Sequence, residues 1–197
     1  AILHGDTETG VSLMRIVREL DAGPVADIER VAIAANDTAN EIETKLAQAC
    51  VPLVARNLDS LSAGELDFTE QDDGRATFCR KLTKTDGVLD FQAEATVLAS
   101  RINGLHPWPG CRVEINGQTI RLALAIAIDG EAPAGVVGES EPGSLVIGTG
   151  KGLLRILRLQ RPGGRMLNDS DFLRGFPIAT GTRLPSSEMP ELITSAK

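Results

Sequence analysis

Asp21 is the residue of this 197-residue chain that is best placed for acid–base chemistry. It lies in Leu20-Asp21-Ala22-Gly23, between two short apolar stretches, residues 10–17 and 25–33, that predict adjacent β-strands. A carboxylate at a strand end can project into a cleft and take part in proton transfer. An aspartate beside a glycine is also a common turn former, because its side chain bonds its own backbone. Residue type and spacing leave both roles open for Asp21.

Arg112 and Arg121 are the residues whose spacing points to a bound polyanion. They flank Asn116-Gly117, the strongest short signal for a β-hairpin. Pairing across a two-residue turn puts the two arginines opposite each other on one face, where like charges cost stability. Glu114 on that face offsets the repulsion locally, and a phosphate group would offset it as well. We therefore predict that Arg112 and Arg121 border a polyanion track.

The charge of the chain changes sign near residues 73–75. Residues 1–74 carry 15 acidic and 5 basic side chains, a net charge of −10, whereas residues 75–197 carry 12 acidic and 15 basic ones, a net charge of +3. Most of the bases in the rear part are arginine, the side chain that best matches phosphate geometry. The split predicts two units with different partners, although +3 is small for a dedicated nucleic-acid domain.

The front part is predicted to form a strand, a turn, a second strand and a helix. Asp37-Thr38 supplies a helix cap, and apolar residues then recur at helical spacing as far as Gly64. Those apolar residues are Ile42, Leu46, Ala49, Leu53, Leu58 and Leu61. Residues 65–74 are acidic and polar with little to bury, which predicts a linker.

The rear part begins with a helix at residues 93–104 and continues mainly as strands. Residues 145–147 and 153–159 predict a hairpin around Gly148 to Gly152, a glycine-rich segment that lacks phosphate-loop spacing and leads into a strand. About five short strands in roughly a hundred residues predict a small closed barrel, for which the oligonucleotide-binding (OB) fold is the commonest solution.

Several classes of protein and site are disfavoured by composition. No run approaches the roughly 18 apolar residues of a membrane helix, and the first residues have no secretory pattern. We expect no metal site, since the cysteines lack paired spacing and read as reduced thiols of a cytoplasmic protein. They are Cys50, Cys79 and Cys111. His4 and His106 are isolated and read as structural or exposed side chains.

Three stretches of this sequence resemble landmarks of the methionyl-tRNA formyltransferase family: Gly10 to Gly23, Lys81 to Phe91, and Pro107 to Gly110. The resemblance extends from Gly5 to about Leu184. It implies the end of a Rossmann-like α/β formyltransferase domain, followed by a mainly β, OB-fold-like C-terminal barrel.

The resemblance assigns a catalytic role to Asp21. In the family this aspartate works with an upstream asparagine and histidine while a formyl group passes from 10-formyltetrahydrofolate to an amine. That asparagine, that histidine and the folate-contacting Ser-Leu-Leu-Pro loop lie upstream of the residues present here, so we expect no turnover by this chain alone. Glu19 stands where relatives usually have glycine, which would strain a left-handed backbone. Arg15 and Arg18 occupy positions that are often uncharged.

The rear landmarks imply that the barrel helps hold methionyl initiator tRNA. His106 replaces the family's usual asparagine just before Pro107. Trp108 lies between two prolines, and we predict that it is a buried anchor and not a base-stacking platform. A chain with 3% aromatic residues and no tyrosine should contact RNA mainly through phosphate. The residues predicted to contact tRNA are Lys81, Lys84, Arg112, Arg121 and Arg165.

We predict four segments: residues 1–64 as the end of the catalytic domain, 65–76 as a linker, 77–185 as the tRNA-binding barrel and 186–197 as a flexible tail. The complete enzyme is expected to be a cytoplasmic monomer. Two alternatives remain open. One is a related enzyme of the same build, a sugar-nucleotide formyltransferase or a formyltetrahydrofolate hydrolase; the other is a non-catalytic tRNA-binding module.

Overall fold

The computed structural model describes residues 1–139 and 141–195. Within that part of the chain, no helix is both long and apolar enough to cross a membrane. The helices are α1 (Ala39–Ala63), α2 (Ala95–Gly104) and α3 (Asp169–Gly175). The strands are β1 (Glu8–Met14), β2 (Val25–Ala32), β3 (Thr77–Cys79), β4 (Cys111–Ile115), β5 (Gln118–Ile128), β6 (Leu145–Gly148), β7 (Leu153–Gln160), β8 (Met166–Asn168) and β9 (Ile193–Ser195).

The front unit is a two-stranded antiparallel sheet, β1 with β2, packed against α1. Helix α1 begins after Thr38, whose side chain forms a reciprocal capping box with Glu41, and ends at Gly64 in the left-handed region. The order of β1, turn, β2 and α1 confirms the predicted order of strand, turn, strand and helix. The ends of α1 were predictable because capping residues satisfy the backbone groups that a helix end leaves unpaired.

Much of the apolar surface of the front unit is exposed. Along α1 the buried side chains are Ile42 and Leu53, whereas Leu58 and Leu61, predicted on the same apolar face, are about half exposed. In the loop between β1 and β2, Ile16 and Leu20 are each 92% exposed. A two-stranded sheet with one helix is too small to cover these groups.

The rear unit is built on one curled antiparallel sheet in the order β4-β5-β7-β6, with β8 added beside β7. Its core is formed by α2, the inner faces of these strands and Phe172 of α3. The prediction of a small, mainly β unit is thereby confirmed at the level of a half-barrel. In the described residues the pairing path runs from β4 to β6 without joining these two end strands.

The Asn103 side chain ties α2 to β5. Its Nδ2 donates to the Ala125 carbonyl at 2.9 Å, its Oδ1 accepts from the Ala125 N–H at 2.9 Å, and Nδ2 also reaches the Ala35 carbonyl at 3.3 Å. Ala125 lies where the β5–β7 register shifts, so its backbone groups need a partner outside the ladder. The amide supplies that partner and bridges to the segment before α1.

The segment predicted as a flexible tail is attached to the rear unit in the part that the structure describes. Strand β9 pairs with β3, Leu192 is buried, and Ser187 donates its N–H to the Leu89 carbonyl at 2.9 Å. Arg101 reaches the Pro190 carbonyl at 3.4 Å, an attachment that links positions 89 residues apart. Residues 196–197 lie outside the described part of the chain.

One buried carboxylate organises the start of the rear unit. Asp86 is 1% exposed and accepts two hydrogen bonds from Arg80, at 2.6 and 3.0 Å, and one from the Thr83 N–H at 2.6 Å. The Arg80 hydrogen bonds outweigh the effect of burial and lower the pKa of Asp86 to about 2. Arg80 also donates to the Glu191 carbonyl, so this ion pair holds the tail as well.

Candidate functional site

Asp21 lies exposed in the loop between β1 and β2, with φ at 54°. Aspartate tolerates this left-handed region better than most residues, because its short side chain can bond locally. The expectation that Glu19 would carry the left-handed strain is wrong, since the positive φ falls on Asp21. Among the described residues, the Asp21 carboxylate has no hydrogen-bond partner. Its charge is therefore presented to the outside of this chain.

The linker fixes the backbone of this loop. Gln71 donates from Nε2 to the carbonyls of Asp21 at 2.8 Å and Gly23 at 2.7 Å, and Thr69 exchanges backbone hydrogen bonds with Val25 at 2.8 and 2.9 Å. Sequence reasoning missed Gln71, because a polar segment with nothing to bury looked like a free linker. Its hydrogen bonds join residues about fifty positions apart, and no local sequence pattern indicates them.

Arg15, one of the departures from the family pattern, has a partner in the linker. Its guanidinium lies 4.2 Å from the centre of the Phe68 ring. A cation over an aromatic face stabilises by about 0.5–1 kcal/mol at an exposed site. The charge therefore packs the loop against the linker.

No described pocket encloses the Asp21 carboxylate. The cavity beside the loop, of about 560 Å³, is lined from Ser12, β2 and the linker, including Gln71, but not by Asp21. A catalytic carboxylate normally works in a water-excluded site with oriented partners. The described residues alone do not form such a site around Asp21.

Gly23 is required by the path of this loop. A Cβ at Gly23 would overlap the carbonyl oxygen of Arg15 on the opposite side of the turn. We expect Gly23→Ala to lower the free energy of unfolding by about 1–3 kcal/mol, because a backbone atom cannot move aside as a side chain can. Urea unfolding measures this. Gly175→Ala, at an open position, should change stability by less than about 0.5 kcal/mol; equal losses in the two variants would contradict the close approach.

Three arginines line one surface cavity of about 460 Å³ on the rear unit: Arg112, Arg121 and Arg161. We call this surface the arginine cluster. The predicted hairpin register is confirmed, since Arg112 pairs with Arg121 across β4 and β5, and Arg121 is opposite Gln160 of β7. Sequence reasoning missed Arg161. It enters the cluster because β7 lies beside β5, a pairing that sequence spacing does not reveal.

Two arginines of the cluster donate hydrogen bonds to the loop at residues 107–110. Arg121 donates to the Pro107 carbonyl, and Arg112 donates from Nη1 to the Pro109 carbonyl at 3.2 Å. The Nε of Arg121 is buried without a partner in the described structure. Among the described residues, neither Arg112 nor Arg121 forms an ion pair with a carboxylate; the side-chain hydrogen bonds of both go to backbone carbonyls.

The other predicted tRNA contacts are dispersed around this surface. Arg165 is exposed, on the β7–β8 turn that also carries Arg161. Lys84 is exposed at the start of the 3-10 helix Lys84–Gly87, whose Gly87 packs closely against Gly110. Lys81 is exposed on the segment before that helix. The structure thus brings Arg112 and Arg121 into direct opposition, while the two lysines lie on a separate segment.

The interpretation of Trp108 as a buried anchor is wrong, because its side chain is 55% exposed. The prolines hold the chain path here, and Pro109 is the buried residue of the pair. His106 is half-buried with its Nδ1 unpartnered in the described structure; burial, with Arg121 nearby, lowers the pKa of the imidazole. His106 therefore stays neutral near pH 7 and adds no charge to the cluster.

The three cysteines differ in burial. Cys50 and Cys79 are exposed and Cys111 is buried, where desolvation raises the pKa of the thiol to about 12. Within residues 1–139 and 141–195, no group of three or more histidine, cysteine, aspartate or glutamate side chains is arranged to hold a metal ion.

Comparison with protein families matches residues 81–177 to the formyl transferase C-terminal domain. Residues 81–177 are thus similar to a formyl transferase C-terminal domain. The arginine cluster, Arg165 and both lysines lie inside the matched range, whereas Asp21 lies before it.

The chain as a whole is similar to the C-terminal portion of curated methionyl-tRNA formyltransferases, which confirms the resemblance. It is 37% identical over 187 residues to the enzyme of Methylobacillus flagellatus, covering 94% of this chain and 60% of that protein. It is 39% identical over 186 residues to the enzyme of Burkholderia thailandensis, covering 93% and 57%. The chain thus spans about three-fifths of the length of these relatives.

Solved structures agree on the fold. HypX from Aquifex aeolicus, in complex with tetrahydrofolic acid, superposes with a TM-score of 0.64 at 18% identity, covering 99% of this chain and 35% of HypX. WlaRD, a sugar 3N-formyltransferase, superposes with a TM-score of 0.64 at 19% identity, covering 79% and 57%. At such identities the likeness shows the fold alone: this chain shares its architecture with the matched parts of HypX and WlaRD.

Proposed function

We propose that this chain is part of an enzyme that transfers the formyl group of 10-formyltetrahydrofolate to the amino group of methionyl initiator tRNA. The relatives with this name are 37–39% identical over nearly the whole chain. The observation that carries the tRNA assignment is the arginine cluster, three guanidinium groups around one cavity that form no ion pair with a carboxylate among the described residues. Guanidinium groups match the geometry of phosphate oxygens.

In this proposal Asp21 is the catalytic carboxylate. Formyl transfer develops an oxyanion and releases a proton from the attacking amine, so an oriented carboxylate helps hold the histidine and the water that handle the proton. The exposed, unpaired Asp21 carboxylate suits a site whose asparagine, histidine and folate loop come from an upstream segment. No folate contact is assigned to the residues of this chain.

The rear unit holds the tRNA. We assign phosphate contacts to Arg112 and Arg121 with Arg161, and to Arg165 on the adjoining turn. We also assign them to Lys81 and Lys84, on the segment that leads to Gly87, which packs against Gly110. The curled sheet is interpreted as an OB-like barrel, with residues 77–185 as its extent and residues 65–76 as the connection. The complete enzyme is proposed to act as a cytoplasmic monomer.

Replacing Arg112 and Arg121 together by alanine is expected to flatten the salt dependence of initiator tRNA binding. The logarithmic slope should fall by about one unit for each lost phosphate contact, because fewer counterions are released on binding. Filter binding of this chain across a range of salt concentrations measures the slope.

The matched control is Arg30→Ala with Arg174→Ala, which removes the same charge from exposed pairs with Glu8 and Asp171. It should leave the slope nearly unchanged. A slope that is the same in the Arg112/Arg121 variant and the unmodified chain would remove the arginine cluster from the tRNA site.

A sugar-nucleotide formyltransferase is the second candidate, favoured by the fold likeness to WlaRD. It predicts weak tRNA binding and formylation of an amino sugar. The far higher identity to the tRNA enzymes favours the first candidate. A non-catalytic tRNA-binding module would bind tRNA equally well with Asp21 replaced and would show no folate-dependent activity in the full-length protein.

A further inference from the structure

Trp108 is an exposed aromatic ring on a fixed loop. Its side chain is 55% exposed, although both neighbouring residues are prolines and the following Gly110 is buried. The Gly110 N–H donates to the Leu105 carbonyl at 2.9 Å, which closes the loop across its base. A large apolar ring held outward in this way is not explained by packing within the described chain.

The loop is held from both sides by the arginine cluster. Arg121 donates to the carbonyl just before Trp108, and Arg112 donates to the carbonyl just after it, at 3.2 Å. The guanidinium of Arg121 also lies directly over the backbone of Gly110, where a Cβ would approach its Nε to 2.9 Å. The indole therefore projects from a loop whose flanking peptide groups are fixed by the same arginines that line the cavity.

An exposed aromatic ring, on a loop bonded to two arginines of a positively charged cavity, has the composition of a single-stranded nucleic-acid site. Such sites pair a positive groove for the backbone with rings on which unpaired bases stack. The indole offers a large π-face, and the two prolines and backbone hydrogen bonds reduce the ordering cost of binding. A helical RNA segment would present only phosphates here, because its bases are already stacked on one another.

We propose that Trp108 is the stacking platform for an unpaired base of the RNA whose backbone lies on the arginine cluster. This inference rests on the proposed tRNA function and names the contact that adds base recognition to phosphate binding. It adds a base contact to the sequence-based prediction that RNA is contacted mainly through phosphate.

The chain reports on this contact directly, because Trp108 is its only tryptophan and it has no tyrosine. Two probes separate stacking from charge: a short unstructured single-stranded RNA, and an abasic oligonucleotide of the same length and charge. We expect the RNA to quench Trp108 fluorescence and the abasic strand to bind without quenching. Trp108→Ala should weaken RNA binding by about 5- to 150-fold, the worth of one stacked base, and leave abasic binding unchanged.

Two further variants serve as controls for Trp108→Ala. Trp108→Phe keeps a ring on the loop and should recover part of the RNA affinity, which a merely misfolded loop would not do. Phe78→Ala removes another exposed ring, on β3, and should leave both affinities unchanged.

Equal RNA affinity of Trp108→Ala and the unmodified chain, with abasic binding still dependent on Arg112 and Arg121, would overturn stacking and leave the proposed function intact. Failure of the unmodified chain to bind either strand, or initiator tRNA, would overturn both.

Discussion

Replacing Asp21 by asparagine in the full-length enzyme proposed above is expected to lower the rate of formyl transfer by about 10²–10⁴-fold. Asparagine keeps the shape of the side chain and tolerates the left-handed backbone that this position requires, so the loop should be preserved. The substitution removes only the negative charge that orients the proton-transferring groups. Single-turnover formylation of methionyl initiator tRNA measures the effect separately from tRNA binding.

Glu19→Gln is the matched control for Asp21, because it removes another exposed carboxylate from the same loop at a position without positive φ. It should change the rate by less than about threefold, a small effect on the barrier. Equal rates for Asp21→Asn and the unmodified enzyme would show that Asp21 only forms the turn. Equal melting temperatures for the three proteins would establish that the comparison concerns chemistry.

Asp86→Asn is expected to destabilise the chain by about 2–4 kcal/mol at pH 7. The substitution removes the charge that Arg80 pairs with and replaces an acceptor of three hydrogen bonds by a group that can accept fewer. The lost Arg80 contact also releases the hold on the Glu191 carbonyl, so β9 should open first. Urea unfolding gives the free energy, and hydrogen exchange at Ile193 and Thr194 follows the release of β9.

The pH dependence of this effect has a definite sign. The folded pKa of Asp86 is lowered from 3.8 to about 2, so its charge stabilises the folded chain above about pH 4, and that stabilisation is lost as the pH falls towards 2. The stability gap between Asp86→Asn and the unmodified chain should therefore narrow over this range. Asp171→Asn, which breaks an exposed pair with Arg174, should cost less than about 1 kcal/mol at pH 7. If the difference in unfolding free energy between Asp86→Asn and the unmodified chain stayed constant from pH 7 to pH 2, the role of the Asp86 charge would be contradicted.

Features fixed by neighbouring residues were predictable from the sequence. The Asn116-Gly117 turn gave the β4–β5 register, because a two-residue turn leaves only one pairing that keeps the apolar side chains on one face. Helix α1 was predictable for a similar reason, since Thr38 and Gly64 are local signals for its ends. These local signals are sufficient to predict that Arg112 and Arg121 lie opposite each other, because the turn alone sets their pairing.

Features fixed by distant residues were not predictable in this way. The tail is docked by Arg80 and Arg101, and the Asp21 loop is held by Gln71; both attachments join residues far apart in sequence. Trp108 is exposed although prolines flank it, and its loop is bonded to Arg112 and Arg121, contacts that the flanking prolines do not indicate. For Asp21, residue type and spacing left catalysis and turn formation open, and its exposed carboxylate has no partner among the described residues that would decide between them.

The most direct measurement offers the full-length protein two amine acceptors in parallel, methionyl initiator tRNA and an amino-sugar nucleotide, with 10-formyltetrahydrofolate as formyl donor. Mass spectrometry of the acceptors identifies which amine gains the formyl group. The proposed function predicts formylmethionyl-tRNA, at a rate that falls with Arg112→Ala and Arg121→Ala when tRNA is limiting. Formylation of the amino sugar with unmodified tRNA, or hydrolysis of the donor with neither acceptor formylated, would contradict it.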